Sequence, residues 1–376
     1  MKTYFSLDPD IIYLNHAAVA PLPINTSRAV QEFVAECSLY GAQYYPRWLK
    51  IEQELREMLA ALINAPSSKD ISLLKSTSEG LSVIAYGLEW SHGDNIVSIA
   101  QEFPSNRIVW ESLSRTYGVE LRFLDLNMSN DPEGDLIELC DENTRLITVS
   151  SVQYIDGFRL DLERIGRHAN ANNILFCVDA IQSLGALPFD VQACGADFVV
   201  ADGHKWMFGP EGLALFYTNE SVRYRLNLQQ FGWHMVQDPS DFERSDWAIS
   251  PTGTRFECGS PNMLGIHALH ASISVINEIG VETISRKIIN NIRLLIELAN
   301  NNPSINPISS TASERISGIF SFTVAGGNSS EIVTRLMSEG VVCAQRGGGI
   351  RFSPHFYNTT AEIELALKKV ESLAAK

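Results

Sequence analysis

Two stretches decide how this chain is read: Val178-Asp179-Ala180-Ile181-Gln182, and Asp197-Phe-Val-Val-Ala-Asp-Gly-His-Lys-Trp, which ends at Trp206. Each carries a short apolar, β-branched run followed by charged or polar residues, so each reads as a buried strand with reactive groups at its C-terminal end. Comparable runs recur at Asn95–Ala100, Glu120–Leu124, Arg145–Val149 and Ile174–Val178. Longer amphipathic stretches, Asn106–Tyr117 and Asp161–Ala169, lie between them. Strands that are apolar on both faces and alternate with helices predict an α/β fold with a mostly parallel sheet covered on both sides. Open sheets of that kind bind ligands outside the carboxyl ends of their strands, so Asp179 and Lys205 should face one crevice.

Working outward, the texture changes near Asn262. A helix-like run continues to about Asn300 and ends in Asn300-Asn301-Asn302-Pro303. Two strand-like runs, Gly318–Val324 and Ile350–Ser353, then flank an amphipathic segment at Ser329–Glu339, and a last helix starts near Thr360. We therefore expect a large domain over 20–262 and a smaller α+β domain made of 1–19 and 263–376. Charged residues make up 19% of the 376, below the roughly 25% usual in soluble proteins, which suggests a thick core or a subunit interface. The net charge of −15 argues against nucleic acid or an anionic membrane as a partner. Neither a signal-peptide pattern nor a run of ~18 apolar residues occurs, so a soluble cytoplasmic protein is expected. The six cysteines are scattered without a C-x-x-C pair; they read as reduced, largely buried thiols, and no metal site is expected. No Gly-rich nucleotide fingerprint of the dinucleotide or P-loop type is present.

The block Ser76-Thr77-Ser78-Glu79-Gly80 precedes the helical run Leu81–Leu88. Hydroxyls and free amides gathered at a helix N-terminus form a ready phosphate site, and Glu79 three residues after Ser76 also fits a capping box. Taken singly, Asp179 could cap a helix and Lys205 could be a loop lysine. Taken together they supply an amine that can condense with a cofactor aldehyde and a carboxylate that can keep a pyridine nitrogen protonated.

The chain resembles the class V aminotransferases of the fold-type I pyridoxal-phosphate enzymes, which include cysteine desulfurases, kynureninases and isopenicillin N epimerase-like proteins. The resemblance runs through Tyr13-Leu-Asn-His-Ala-Ala-Val-Ala-Pro, Ser76-Thr-Ser-Glu-Gly, Asp179-Ala-Ile-Gln, Gly203-His-Lys-Trp, Phe256-Glu-Cys-Gly-Ser-Pro-Asn and Ile350-Arg-Phe-Ser-Pro-His-Phe-Tyr-Asn-Thr. It implies a large, mostly parallel-sheet domain with a smaller C-terminal α+β domain, and pyridoxal 5'-phosphate bound to Lys205 as a Schiff base. It further implies Asp179 at the ring nitrogen, Gln182 near the ring oxygen, and Thr77, Ser78 and His204 at the phosphate; Asp202 departs from the small hydroxyl residue that many desulfurases carry there and reads as a partner of His204 rather than of the phosphate. Phe103 stands where desulfurase-like members have a histidine over the ring, as in kynureninases; it can stack but carries no proton. Ser260 resembles the residue that reaches the neighbouring subunit's phosphate, which implies a homodimer. Arg351 matches the arginine that pairs with the α-carboxylate of an amino-acid substrate, for which a planar two-donor fork is well suited. Asn15 and His16 match a substrate-side loop, and Trp233 a tryptophan of kynureninases.

Desulfurases carry a cysteine on a mobile loop upstream of that arginine. Here the nearby cysteine, Cys343, continues an apolar strand-like run close to Arg351 and reads as structural. Transamination is the first expectation from family breadth, with cysteine desulfuration or carbon–sulfur lysis, or epimerisation, as alternatives on the same scaffold. A protein that binds the cofactor without turnover is the remaining alternative, against which the intact Asp179, Lys205 and Arg351 speak.

Overall fold

In the computed structural model, which describes residues 2–243 and 245–374, the apolar runs pair into a seven-stranded sheet. Its strands are β1 (Ile71–Leu74), β2 (Asn95–Ile99), β3 (Glu120–Leu124), β4 (Thr144–Ser150), β5 (Leu175–Asp179), β6 (Phe198–Asp202) and β7 (Ala214–Thr218). They lie in the order β1-β7-β6-β5-β4-β2-β3, with β2 to β6 parallel and β7 antiparallel to both of its neighbours. The parallel pairs are made possible by helical crossovers such as α4 (Ser105–Tyr117) and α5 (Leu162–Ala171). Between β6 and β7 only the turn-rich stretch 203–213 intervenes, too short for a crossover, so β7 must return antiparallel.

Side chains along each central strand alternate between two cores. On β5, Phe176 and Val178 join one apolar cluster while Leu175 and Cys177 join the other; on β6, Val199 and Ala201 oppose Phe198 and Val200. Neither face meets water, which is why these strands read as continuous apolar runs rather than alternating ones. The helices α1 (Ile24–Tyr40), α2 (Tyr45–Leu62) and α6 (Met263–Ile279) pack together on one side, and α3 (Thr77–Gly87) packs with α4 on the other.

The expected long run after Asn262 is two helices, α6 and α7 (Val281–Asn300), bent by 80° at Gly280. Gly280 has φ +83°, which a side chain rarely tolerates. Ile266, Leu269, Ile273 and Ile276 of α6, with Ile284 and Ile288 of α7, belong to the large core; Ile292, Leu295 and Ala299 belong to the small one. The packing thus changes hands midway along α7, whereas composition changes near Asn262. No single helix among the described residues is long and apolar enough to cross a membrane.

The small core is covered by an antiparallel sheet of β8 (Ile305–Pro307), β9 (Phe320–Val324), β10 (Ala344–Arg346) and β11 (Gly349–Phe352), ordered β10-β11-β9-β8. Helices α8 (Ser329–Ser338) and α9 (Thr360–Ala374) pack on it. Ile12–Tyr13 pairs in parallel with Val341–Val342, and Ile12 and Leu14 enter the small core while Phe5 and Ala17 enter the large one, so the N-terminal segment contributes to both. All six cysteines are free thiols.

Candidate active site

β5 ends at Asp179, which is in register with Ser150 of β4 and Val200 of β6. β6 ends at Asp202, and the turn beyond it presents His204 and Lys205 at the same edge. The N-terminus of α3 is tied to this edge because the Thr77 hydroxyl accepts the Asp202 N–H at 3.0 Å. From the small domain, β10 and β11 bring Arg346 and Arg351 into the lining of the cavity. Together these elements enclose a cavity of about 310 Å³ whose lining includes Ser76, Thr77, Ser78, Phe103, Tyr154, Asp179, Gln182, His204, Lys205, Arg346 and Arg351. A larger, more open cleft of about 980 Å³ lies elsewhere; it has no lysine in its lining, and its Glu133 and Arg315 already pair at 2.6 Å.

Lys205 is buried. Burial lowers its ammonium pKa to about 8, helped by the Arg351 charge and opposed by Asp179. Its Nζ sits 5.6 Å from the centroid of the Phe103 ring. Asp179 is pushed the other way: burial raises its carboxyl to about 7, against the Ile181 N–H that donates to Oδ1 at 3.0 Å, and the Glu102 charge adds to the rise. Burial thus drives these two groups, an acid and a base, each toward its neutral form.

Arg351 responds to burial in the same way. It is 1% exposed, and burial, with the nearby Arg346 charge, lowers its pKa to about 9. Nη1 donates to the Tyr154 carbonyl at 2.6 Å, while Nε and Nη2 have no partner among the described residues. Those two nitrogens form the side-on edge of a guanidinium, the edge that accepts a carboxylate with two parallel bonds.

At α3, Ser76 Oγ accepts the Glu79 N–H at 3.2 Å and Glu79 Oε2 accepts the Lys75 N–H at 2.7 Å. Glu79 is therefore a capping residue, reaching one residue further back than a regular capping box, and the first amides of the helix are left for another acceptor. Ser78 bonds Ser105 at 2.8 Å through its hydroxyl. His204 Nδ1 lies 2.8 Å from Asp202 Oδ1, a close contact without hydrogen-bond alignment. Gln182 is largely committed, since its Oε1 accepts from Trp206 Nε1 at 2.8 Å and its amide donates to the Ala17 carbonyl at 3.1 Å; one amide hydrogen remains.

This donor set fits pyridoxal phosphate. The lining combines a helix N-terminus with hydroxyls, a strand-end carboxylate, an amine of lowered pKa and an aromatic ring that is 40% exposed.

The sequence profile described as Aminotransferase class-V matches residues 12–365. The chain belongs to this family. A probable cysteine desulfurase of Methanothermobacter thermautotrophicus is 32% identical, over 97% of this chain and 95% of its own length. Among solved structures, a lysine-to-alanine variant of C-DES with glycine covalently linked to its pyridoxal-phosphate cofactor superposes with a TM-score of 0.91 at 22% identity, covering 99% of both chains. The complex of the cystine C-S lyase C-DES with its reaction product cysteine persulfide gives 0.89 at 22% identity, over 96% of this chain and 98% of that one. The fold is fold-type I, and the cofactor of this family member is pyridoxal phosphate.

Of the residues singled out from sequence, Thr77, Ser78, Phe103, Asp179, Gln182, His204, Lys205 and Arg351 share the cavity. Asn15 and His16 do not line it. His16 is fully buried with both ring nitrogens engaged, Nδ1 with the Ser353 carbonyl at 2.8 Å and Nε2 with the Tyr357 hydroxyl at 2.7 Å, and burial lowers its pKa to about 3. It is a neutral core histidine that ties the N-terminal segment to the small domain. Ser260 is exposed and outside its own chain's cavity, and Trp233 packs on His234 and Phe242 away from it. Sequence reasoning missed Tyr154, Arg346 and the buried Glu102. For Arg346 a signal was present: the glycine run after it marks a tight hairpin.

Proposed function

We propose that this pyridoxal-phosphate enzyme cleaves the carbon–sulfur bond of a cysteine-type amino acid, and that it does so without a cysteine nucleophile of its own. Transamination was the first expectation from sequence; the near full-length relative named as a probable cysteine desulfurase favours the carbon–sulfur alternative. The observation that carries the second half is the cavity lining, which contains none of the six cysteines. Cys343 lies 4% exposed in the small-domain core, where burial pushes its thiol up to about 12. Such a thiol is neither ionised nor placed to receive sulfur.

The chain's own groups then divide the work. Arg351 takes the substrate carboxylate on its open edge, and Asp179 holds a proton on the ring nitrogen. Lys205, its amine free to act near neutral pH, removes the α-proton at Nζ. When bound, pyridoxal phosphate would supply an electron sink for the pair left at Cα. Sulfur departs with its bonding pair. Phe103 has no proton to give it, which favours a sulfur that is stable as an anion, such as the persulfide released from a disulfide-linked substrate.

Product analysis tests this. With cysteine or cystine, the holoenzyme should release pyruvate and ammonia, and Cys343→Ser should keep most of that activity. Alanine as the product, abolished by Cys343→Ser, would restore a cysteine-nucleophile desulfurase. Turnover only with an added 2-oxo acid would restore an aminotransferase.

A further inference from the structure

Glu102, one residue before Phe103, is 3% exposed and has no cationic partner among its contacts. Its Oε1 accepts the Ser150 N–H at 2.6 Å and Gln153 Nε2 at 2.9 Å; its Oε2 accepts Asn106 Nδ2 at 3.1 Å and the Ser150 hydroxyl. Burial raises its pKa and these donors oppose the rise. Four donors converging on two oxygens call for a group that only accepts, which is an ionised carboxylate. None of the cofactor contacts assigned above uses it.

The donors lead to the substrate clamp. Ser150 is the last residue of β4, and Gln153 immediately precedes Tyr154, whose carbonyl is the one hydrogen-bond partner of the Arg351 side chain among the described residues. The Gln153 backbone is pinned as well, its N–H donating to the Phe158 carbonyl and its own carbonyl accepting the Gly157 N–H, both at 2.9 Å. The next residues repeat the contact, because the Phe103 and Tyr154 rings meet edge to face at 5.1 Å. Glu102-Phe103 and Gln153-Tyr154 are thus joined twice, by charge-assisted hydrogen bonds and by rings.

We infer that Glu102 is a positioning residue for the substrate carboxylate: through Ser150 and Gln153 it fixes the Tyr154 carbonyl, which aims the open edge of Arg351. This rests on Arg351 being the carboxylate clamp. An Arg351 held by a single carbonyl can rotate about that bond if the carbonyl moves, and a bidentate contact loses strength steeply with misalignment.

The experiment compares holoenzymes carrying Glu102→Gln, Gln153→Met and Arg351→Gln with the wild type. Binding is read from the cofactor absorbance with cysteine and with cysteamine, which lacks the carboxylate. Glu102→Gln turns an amide NH₂ toward donors and should weaken cysteine binding roughly tenfold, the scale of a broken buried charge-assisted bond, while leaving cysteamine within about twofold. In turnover the loss should fall on KM more than on kcat. Gln153→Met, which removes one link, should show the same selectivity to a smaller degree, and it decides the matter if Glu102→Gln does not fold. Equal loss for both ligands, or no loss, in the folded variants overturns the inference; so does an altered pH response of the absorbance with selectivity intact, which would mean that Glu102 acts only on Asp179. If Arg351→Gln itself fails to distinguish the two ligands, the clamp reading falls and the inference with it. If Arg351→Gln distinguishes them and the other variants do not, the clamp stands and Glu102 does not position it.

Discussion

At the scale of single residues, the chemistry of this site is set by burial acting on opposite charges. A lysine amine in water has a pKa near 10.4 and is almost wholly protonated at pH 7; burial brings Lys205 down to about 8. Only the neutral amine attacks an aldehyde. The rate of pyridoxal-phosphate capture by the apoprotein should therefore climb as pH rises and level off with a midpoint near 8. Asp179 holds the Lys205 pKa up, so Asp179→Asn should move that midpoint to lower pH. Stopped-flow absorbance between pH 6 and 10 measures both, and a wild-type midpoint near 10 would mean that Lys205 is solvated rather than buried. Asp179 and Lys205 were legible in the sequence because each follows an apolar run, and the end of a buried strand leaves a side chain few places to go. His16 was not. Its motif matched a substrate-side loop, but nothing in the sequence showed that Ser353 and Tyr357 would consume both ring nitrogens from a segment more than three hundred residues away.

At the scale of elements, the hairpin β10–β11 separates this chain from one with a swinging loop. Arg346 pairs across to Gly349, and the connection is Gly347-Gly348 with φ +56° and +78°. Positive φ at both central residues is the two-residue turn whose twist matches paired strands. Arg346 and Arg351 ride on a short, hydrogen-bonded ribbon instead of a mobile segment. Gly348→Ala meets nothing within 4 Å, so it isolates the backbone cost, about 1–2 kcal/mol. Gly347→Ala adds a contact of 2.5 Å with Ile155 Cγ2 and should cost more. Urea unfolding ranks the two; equal or negligible losses would show that the turn does not hold this conformation. The strands read from the sequence lie within about two residues of their observed positions, but β1 and β7 were not read although both are buried along their whole length. The break at Gly280 was hidden, since both flanks are helical and both pack on the same large core, so the apolar pattern continues through the bend. β8 was missed for a different reason: Ile305-Asn306-Pro307 has one buried residue and no periodicity to read.

At the scale of the molecule, the question is whether one chain completes its own site. Ser260 is exposed and lines no part of its own cavity, although it lies in a block shared with the family. Large apolar side chains are more than half exposed at Leu39, Tyr40, Phe231, Phe242 and Trp247. Gly232, between Phe231 and Trp233, packs so closely on the Cys258 carbonyl that an added Cβ would sit 2.0 Å from it, so part of this apolar surface is continuous with the turn that carries Ser260. We therefore propose a homodimer in which Ser260 reaches the partner's phosphate. Complementation tests it: Lys205→Ala subunits are mixed with Ser260→Asp subunits, whose new carboxylate should repel the phosphate. In a mixed dimer, the site with intact Lys205 draws residue 260 from the Lys205→Ala chain, where Ser260 is intact. Activity should reappear on mixing two inactive proteins, to at most about half of the wild-type value per hybrid because one site of two is repaired. Sedimentation as a monomer at assay concentration would remove the interface. Inactive mixtures in which hybrid dimers are demonstrated by mass would keep the dimer and confine Ser260 to its own subunit.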